Sequence, residues 1–353
     1  METAVYRITQ ENPLVPEMET LGEIIKRGGL VAFPTETVYG LGGDALNPES
    51  SRKIYAAKGR PSDNPLIVHI AKLEDLKPLV KDIPEAAEKL AEKFWPGPLT
   101  MIFPKSDLVP KETTGGLDTV AVRFPSHPVA KRFIEAAGGY IAAPSANLSG
   151  KPSPTIAKYV VQDMDGRVDA IIDGGDIPIG LESTIVDLTG DVPMILRPGY
   201  ITKEMLEEVL GEVATDPTIL NGNATDRPKA PGMRYRHYAP KGELVIFEGN
   251  KEEVISSINA RSEEASKKGR KTGVIATSEC ADLYKADSVK VIGSRENEEE
   301  VAASLYRILR EFDDEGVEII SSESFSGTGL HVAIMNRLLK AAGHKIINLW
   351  EEA

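Results

Sequence analysis

PTETVYGLG at residues 34–42 and KGRPSDNPLIVH at residues 58–69 decide how this chain reads. The approach to the first motif, GGLVAFPTET, is apolar and breaks at proline, so it reads as a buried strand feeding a loop. Between the motifs, PESSRKIYAAKGR reads as a short helix that stops at Gly59. Thr35, Thr37, Tyr39, Lys58, Arg60, Asn64 and His69 therefore fall at element ends and loops, where a rigid scaffold usually carries its binding groups.

Outward from this stretch, helix and strand signals alternate. METLGEIIKRG before it is a helix with a glycine stop. After it come the strand IVHIA, amphipathic helices in LEDLKPLV and PEAAEKLAEKFW, and a strand within WPGPLTMIFP. TVAVRFP is a strand that delivers Arg123 to its end, and HPVAKRFIEAAGG is a helix. YIAAPSANLSG is a strand running into a polar loop with Ser145, Asn147 and Ser149. VDAIIDGG, ESTIVDL and PMILRPG are further strands, the last bringing out Arg197, and TKEMLEEVLG is a closing helix. Such alternation predicts an α/β fold with a partly parallel sheet. The polar residues recur where strands run out, the usual place for a site in an open α/β sheet.

Residues 213–241 lose the periodicity and end in the basic run DRPKAPGMRYRHYAPKG, a linker by composition. Its five cations, its tyrosines and His237 suit a lid over an anionic ligand better than a passive tether. From Glu243 a second alternation begins, which predicts a small three-layer α/β domain. The expected division is a first domain over 1–212, the basic linker or lid over 213–241, and a second domain over 242–353.

Composition narrows the function classes. The formal net charge is -13, a poor basis for general nucleic-acid binding, which rests on neutralising phosphates. No apolar run approaches the length of a membrane span, and METAVYRITQENP lacks the apolar segment of a signal peptide. The single cysteine, Cys280, fits a reducing cytoplasm. Five histidines without metal-ligand spacing argue against a zinc site, while magnesium, which needs few protein ligands, can arrive with a nucleotide.

The chain has no G-x-x-x-x-G-K-[ST] phosphate loop. GTGLHVA at 327–333 matches a dinucleotide fingerprint only loosely and reads as a glycine turn capping a helix, so neither NAD nor flavin is expected. Lys58, Arg60, Arg123 and Arg197 arrive from three places in the chain. They suit a polyphosphate, although scattered salt bridges with the many acids would also use them. No Ser-His-Asp set or carboxylate pair stands out, and His69, within a strand, reads equally as a core histidine or a functional one. That points to chemistry run by positioning and charge stabilisation.

Taken together, PTETVYGLG, KGRPSDNPLIVHI, WPGPLTMI, VAVRFPSHP, APSANLSGKPSPT, ESTIVD and ILRPG resemble, in order and spacing, the YrdC-type threonylcarbamoyl-AMP synthases. The basic linker and the second domain resemble the long, two-domain form, with Ala230 standing where the family pattern has serine. The resemblance implies a YrdC-like twisted open mixed sheet with a concave site, followed by a Rossmann-like C-terminal domain. It implies a nucleotidyltransferase that turns L-threonine, bicarbonate and ATP with Mg2+ into threonylcarbamoyl-AMP and pyrophosphate. The product would pass to a transferase that modifies the tRNA adenosine next to the anticodon. By the same resemblance, Lys58, Arg60, Ser145 and Asn147 are the catalytic tetrad around the phosphates and the carbamate. Asn64, Thr119, Ser153, Arg197 and Tyr238 complete the ATP site. Thr37, His69, Arg123, Ser183 and the backbone of Ala143 take threonine. A double-stranded RNA-binding or assembly factor of the same fold is the alternative, against which the acidic charge stands.

Overall fold

The computed structural model describes residues 2–221, 230–231 and 237–350. Arg227, Lys229, Arg234, Tyr235 and Arg236, the centre of the expected lid, lie outside the described residues. The chain divides into two compact units, 1–149 with 153–235, and 150–152 with 236–353.

The first unit runs β1 (Ala4–Arg7), α1 (Glu17–Lys26), β2 (Val31–Phe33), β3 (Gly40–Asp44), α2 (Pro48–Lys58), β4 (Ile67–His69), α3 (Glu85–Phe94), β5 (Leu99–Pro104) and β6 (Thr119–Arg123). It continues through α4 (Pro128–Ala136), β7 (Ile141–Ala143), α5 (Ala157–Met164), β8 (Ala170–Asp173), β9 (Thr184–Asp187), β10 (Met194–Arg197), α6 (Lys203–Leu210), β11 (Ala214–Thr215) and α7 (Thr218–Asn221). Among the described residues its strands form one open sheet in the order β1-β8-β2-β3-β7-β4-β6-β5-β9-β10-β11. Parallel and antiparallel neighbours are mixed, as expected for this fold class.

Local chemistry explains the element ends. The Asn47 side chain accepts from the Glu49 amide, Pro48 opens α2, and Gly59 ends it in the left-handed conformation at φ 61°. The segment read as an amphipathic helix at LEDLKPLV is instead a 3-10 helix, Leu73–Leu79. Pro78 inside it has no amide to donate, which fits a short, tight turn better than an α-helix.

The core is layered on the sheet by strand alternation. Val68, Met101, Val120, Val122 and Val186 face the larger core with α2, α3 and α5. Toward the other face, α1 and α4 cover the β8-β2-β3-β7 half through Leu21, Ile25, Phe133 and Ile134. The β4-β6-β5-β9-β10 half of that face carries Ile67, Ala121, Ile102, Ile185 and Leu196, joined by Ala230. Where α1 meets α4, a Cβ added at Gly22 would stand 2.4 Å from the Ala136 carbonyl oxygen. Gly22→Ala is expected to lower unfolding free energy by about 1–3 kcal/mol, because two packed helices must part. Denaturant unfolding of the variant checks this; an unchanged midpoint would mean that the helices separate freely.

The second unit runs β12 (Glu243–Glu248), α8 (Lys251–Lys267), β13 (Thr272–Thr277), β14 (Ser288–Gly293), α9 (Glu298–Glu315), β15 (Ile319–Glu323), α10 (Leu330–Ala341) and β16 (Ile346–Asn348). Its sheet has the order β14-β13-β15-β12-β16, with parallel pairing throughout. This is the Rossmann-like domain expected, with β14 and β16 added to the strands read from the sequence. Among the described residues no helix is long and apolar enough to cross a membrane.

Candidate active site

One face of the first sheet is organised by register. His69 pairs with Arg123, Arg123 with Thr100, and Thr100 with Ile185, so one row of side chains crosses β4, β6, β5 and β9 on a single face. Arg197 reaches the same row through an irregularity. The β10–β9 register shifts between Ile195 and Arg197, which sets Arg197 opposite Ile185. Simple alternation would have pointed it into the core; the bulge re-aims it. Its guanidinium donates to the Ser183 carbonyl at 3.0 Å, the Ser183 hydroxyl at 3.1 Å and the Pro231 carbonyl at 3.4 Å.

Arg123 is buried at the centre of this row. Its Nη1 donates to Thr37 Oγ1 at 2.9 Å, and its Nη2 lies 2.7 Å from Glu36 Oε1. Its Nε has no hydrogen-bond partner among the described residues. A buried guanidinium with one edge unspent is suited to a ligand carboxylate, which takes two parallel bonds. Thr37 is itself held by Thr35 at 2.9 Å. Ser183 shares a hydroxyl contact with Thr100 at 2.8 Å. Ala143 lies in β7, opposite Ile67 and beside the His69 row.

His69 is buried against Phe33, with its Nδ1 3.1 Å from the Ile67 carbonyl oxygen. Burial first, then the charges of Arg123 and Arg197, push its pKa from the ordinary 6.5 down to about 3. It is therefore neutral in the folded protein near pH 7. The unfolded chain takes up a proton below 6.5 and the folded one does not, so stability falls as pH drops from 6.5 toward 3. At pH 5 the 1.5-unit interval amounts to at most about 2 kcal/mol. His69→Gln is expected to reduce the loss of urea stability between pH 7.5 and pH 5; an identical pH dependence would contradict the buried neutral imidazole.

Lys58, the last residue of α2, is buried and donates to the carbonyl oxygens of Ser145 and Asn147, both at 2.5 Å. The two halves of the expected tetrad are thus joined through Lys58. The loop after β7 is further fixed by the Gly40–Ser145 bridge and by the Ser149 amide on the Lys58 carbonyl. Arg60 bonds the carbonyls of Asn64 and Pro65 at 3.3 and 3.1 Å, shaping its own loop. Asn64 Oδ1 is buried with no partner among the described residues, a second unspent group. Ser153 donates to Glu182 at 2.6 Å.

Thr119 opens β6 at the end opposite Arg123, roughly 13 Å along the strand by strand rise. Tyr238 belongs to the second unit, buried and stacked on Tyr306 with ring centroids 5.1 Å apart. Tyr39, in the first motif, is structural: its hydroxyl donates to the Gly175 carbonyl and accepts from the Gly174 amide. Glu36, Thr100 and Glu182 were not singled out in the sequence. An acid inside the apolar PTETVYG turn was the available signal for Glu36, since a carboxylate is seldom buried without a partner.

Residues 23–199 match the family model described as "Telomere recombination", and residues 201–343 match "Threonylcarbamoyl-AMP synthase, C-terminal domain". Threonylcarbamoyl-AMP synthase from Pyrococcus abyssi is 50% identical over 92% of this chain and 94% of its own length. The Bacillus subtilis protein of that name is 50% identical over 94% of each. The crystal structure of P. abyssi Sua5 complexed with L-threonine superposes with a TM-score of 0.90 at 47% identity, covering 99% of both chains. A buried arginine with an unpartnered Nε, a loop after β7 tied down by Lys58 and this likeness over both domains lead to one assignment: the chain belongs to the threonylcarbamoyl-AMP synthase family of nucleotidyltransferases, in its two-domain form.

Proposed function

We propose that the first unit joins L-threonine, bicarbonate and ATP into threonylcarbamoyl-AMP, with release of pyrophosphate. The observation that carries this reading is Arg123, buried, bonded to Thr37 and keeping its Nε unspent. The threonine carboxylate takes that edge of the guanidinium, and neutral His69 offers the ammonium no repulsion. The amine, once deprotonated, adds to the carbon derived from bicarbonate, and loss of water leaves a carbamate. A carbamate oxygen then attacks the α-phosphorus of ATP; the bond to the bridging oxygen breaks and pyrophosphate departs. Arg60 and Lys58 are proposed to stabilise the charge that accumulates, with Ser145 and Asn147 in the loop that Lys58 holds. Arg197, Asn64, Ser153, Thr119 and Tyr238 are the proposed nucleotide contacts.

Among the described residues no group of three His, Cys, Asp or Glu side chains converges. Magnesium is proposed to ride on the nucleotide phosphates, as is common for that ion. The adenylate is proposed to pass, in the cytoplasm, to a transferase acting on tRNA. Labelled bicarbonate, threonine and ATP-Mg should yield an AMP adduct carrying both the label and threonine, read by mass spectrometry. Formation of ADP and phosphate alone would refute the adenylate reading.

A further inference from the structure

Glu36 is 6% exposed and sits in a turn that its own neighbours fix. The Thr35 hydroxyl accepts from the amides of Thr37 and Val38 at 3.2 and 3.3 Å and donates to the Val38 carbonyl at 2.6 Å. The Glu36 carbonyl accepts from the Ile179 amide at 3.2 Å. The turn thus sets two consecutive side chains against one guanidinium. Thr37 takes Nη1 of Arg123 at 2.9 Å, and Glu36 Oε1 lies 2.7 Å from Nη2.

Charge alone holds that pair. Neither oxygen of Glu36 has a hydrogen-bond partner among the described residues, and neither Nε nor Nη2 of Arg123 has one. A buried carboxylate normally has its lone pairs filled, and each of its oxygens can accept more than one donor. Two histidines border the pair. Burial holds His69 well below its ordinary pKa, so it is neutral near pH 7. His127, which precedes α4, has its pKa lowered by burial, against the pull of Glu36, and its Nδ1 has no hydrogen-bond partner among the described residues. Arg197, whose charge also reaches His69, is the proposed nucleotide contact.

The Arg123–Glu36 pair is therefore electrically balanced before an amino acid arrives. A simple carboxylate docking on Arg123 would set two negative charges against one guanidinium, in a place largely closed to water, where like charges repel strongly. An α-amino acid brings its own cation beside its carboxylate. That ammonium offers three donors, and Glu36 holds the empty acceptors. We propose that Glu36 determines specificity in the threonine site: Oε1 holds Arg123, Oε2 balances the α-ammonium, and Arg123 accepts a zwitterion while rejecting a carboxylate that lacks a neighbouring amine. The proposal rests on the reading that Arg123 takes the threonine carboxylate.

Isothermal titration of the full-length protein tests it with two ligands. One is L-threonine; the other is the 2,3-dihydroxybutanoate of the same configuration, which has a hydroxyl where threonine has its ammonium. The wild-type protein is expected to favour threonine by about 100-fold or more. Glu36→Gln keeps the shape and removes the charge, and should narrow that preference by about tenfold or more, through weaker threonine binding and not weaker analogue binding. Equal losses for both ligands would make Glu36 a mere support for Arg123 and overturn the proposal. So would unchanged affinity for both. Glu36→Asp keeps the charge and should retain the preference for threonine, whereas its loss in a folded Asp variant counts against the charge as the cause. Should Glu36→Gln fail to fold, the wild type still decides, because dihydroxybutanoate binding as tightly as threonine overturns the proposal. A wild-type protein that binds neither ligand refutes the Arg123 reading along with it.

Discussion

Arg123→Lys is expected to cut kcat/KM for L-threonine by about two orders of magnitude while leaving KM for ATP within a factor of about three. The arginine spends one nitrogen on Thr37, holds Glu36 with a second, and keeps Nε for the ligand. Lysine keeps the charge but offers a single ammonium that cannot reach all three. Losing one charged hydrogen bond of the fork costs about 1.5–3 kcal/mol, near two decades of affinity at its upper end. Pyrophosphate release measured while each substrate is varied in turn checks the split. Equal losses for threonine and ATP would mean that Arg123 supports the scaffold or the phosphates and not the amino acid.

Arg60→Gln is expected to lower kcat about 100- to 1000-fold without unfolding the protein, the scale seen when one donor to a developing anion is removed. Alanine would be the less informative change. Arg60 also bonds the carbonyls of Asn64 and Pro65, so its complete removal loosens the loop as well as deleting the charge. Glutamine keeps an N–H donor at the position of Nε, which bonds the Asn64 carbonyl, and loses the cation with the single Nη2 contact to Pro65. Single-turnover ATP consumption with saturating threonine and bicarbonate reads the chemical step. A folded glutamine variant with normal turnover would remove Arg60 from the charge-stabilising set.

Much of the fold was legible because apolar periodicity alternates cleanly between strand and helix. The exceptions have identifiable physics. β3 is GLGGD, which has almost no side chains to show a period and low strand propensity. It forms because its bare backbone fits closely against Phe33, which a Cβ at Gly40 would approach to 3.1 Å, and against Ile141, which one at Gly42 would meet at 2.9 Å. At the site, cations at strand ends were visible as cations, but their targets were not. Nothing in the sequence announces that Lys58 turns inward to two carbonyls, or that Arg123 already has Glu36 beside it. Such partners depend on register and on chain crossings between distant segments. The re-aiming of Arg197 is a one-residue irregularity that no hydropathy pattern reports.

The row His69–Arg123–Thr100–Ile185 has a consequence for how this protein can vary. These side chains share one face of the sheet only because each strand is in phase with its neighbours. Deleting one residue from β6 would exchange the two faces of that strand, turning Arg123 toward the large core and Val122 onto the opposite face. Loss of activity and loss of folding would then arrive together. Length changes in these strands are therefore closed to drift, and adaptation of the amino-acid pocket is confined to exchanging side chains in place.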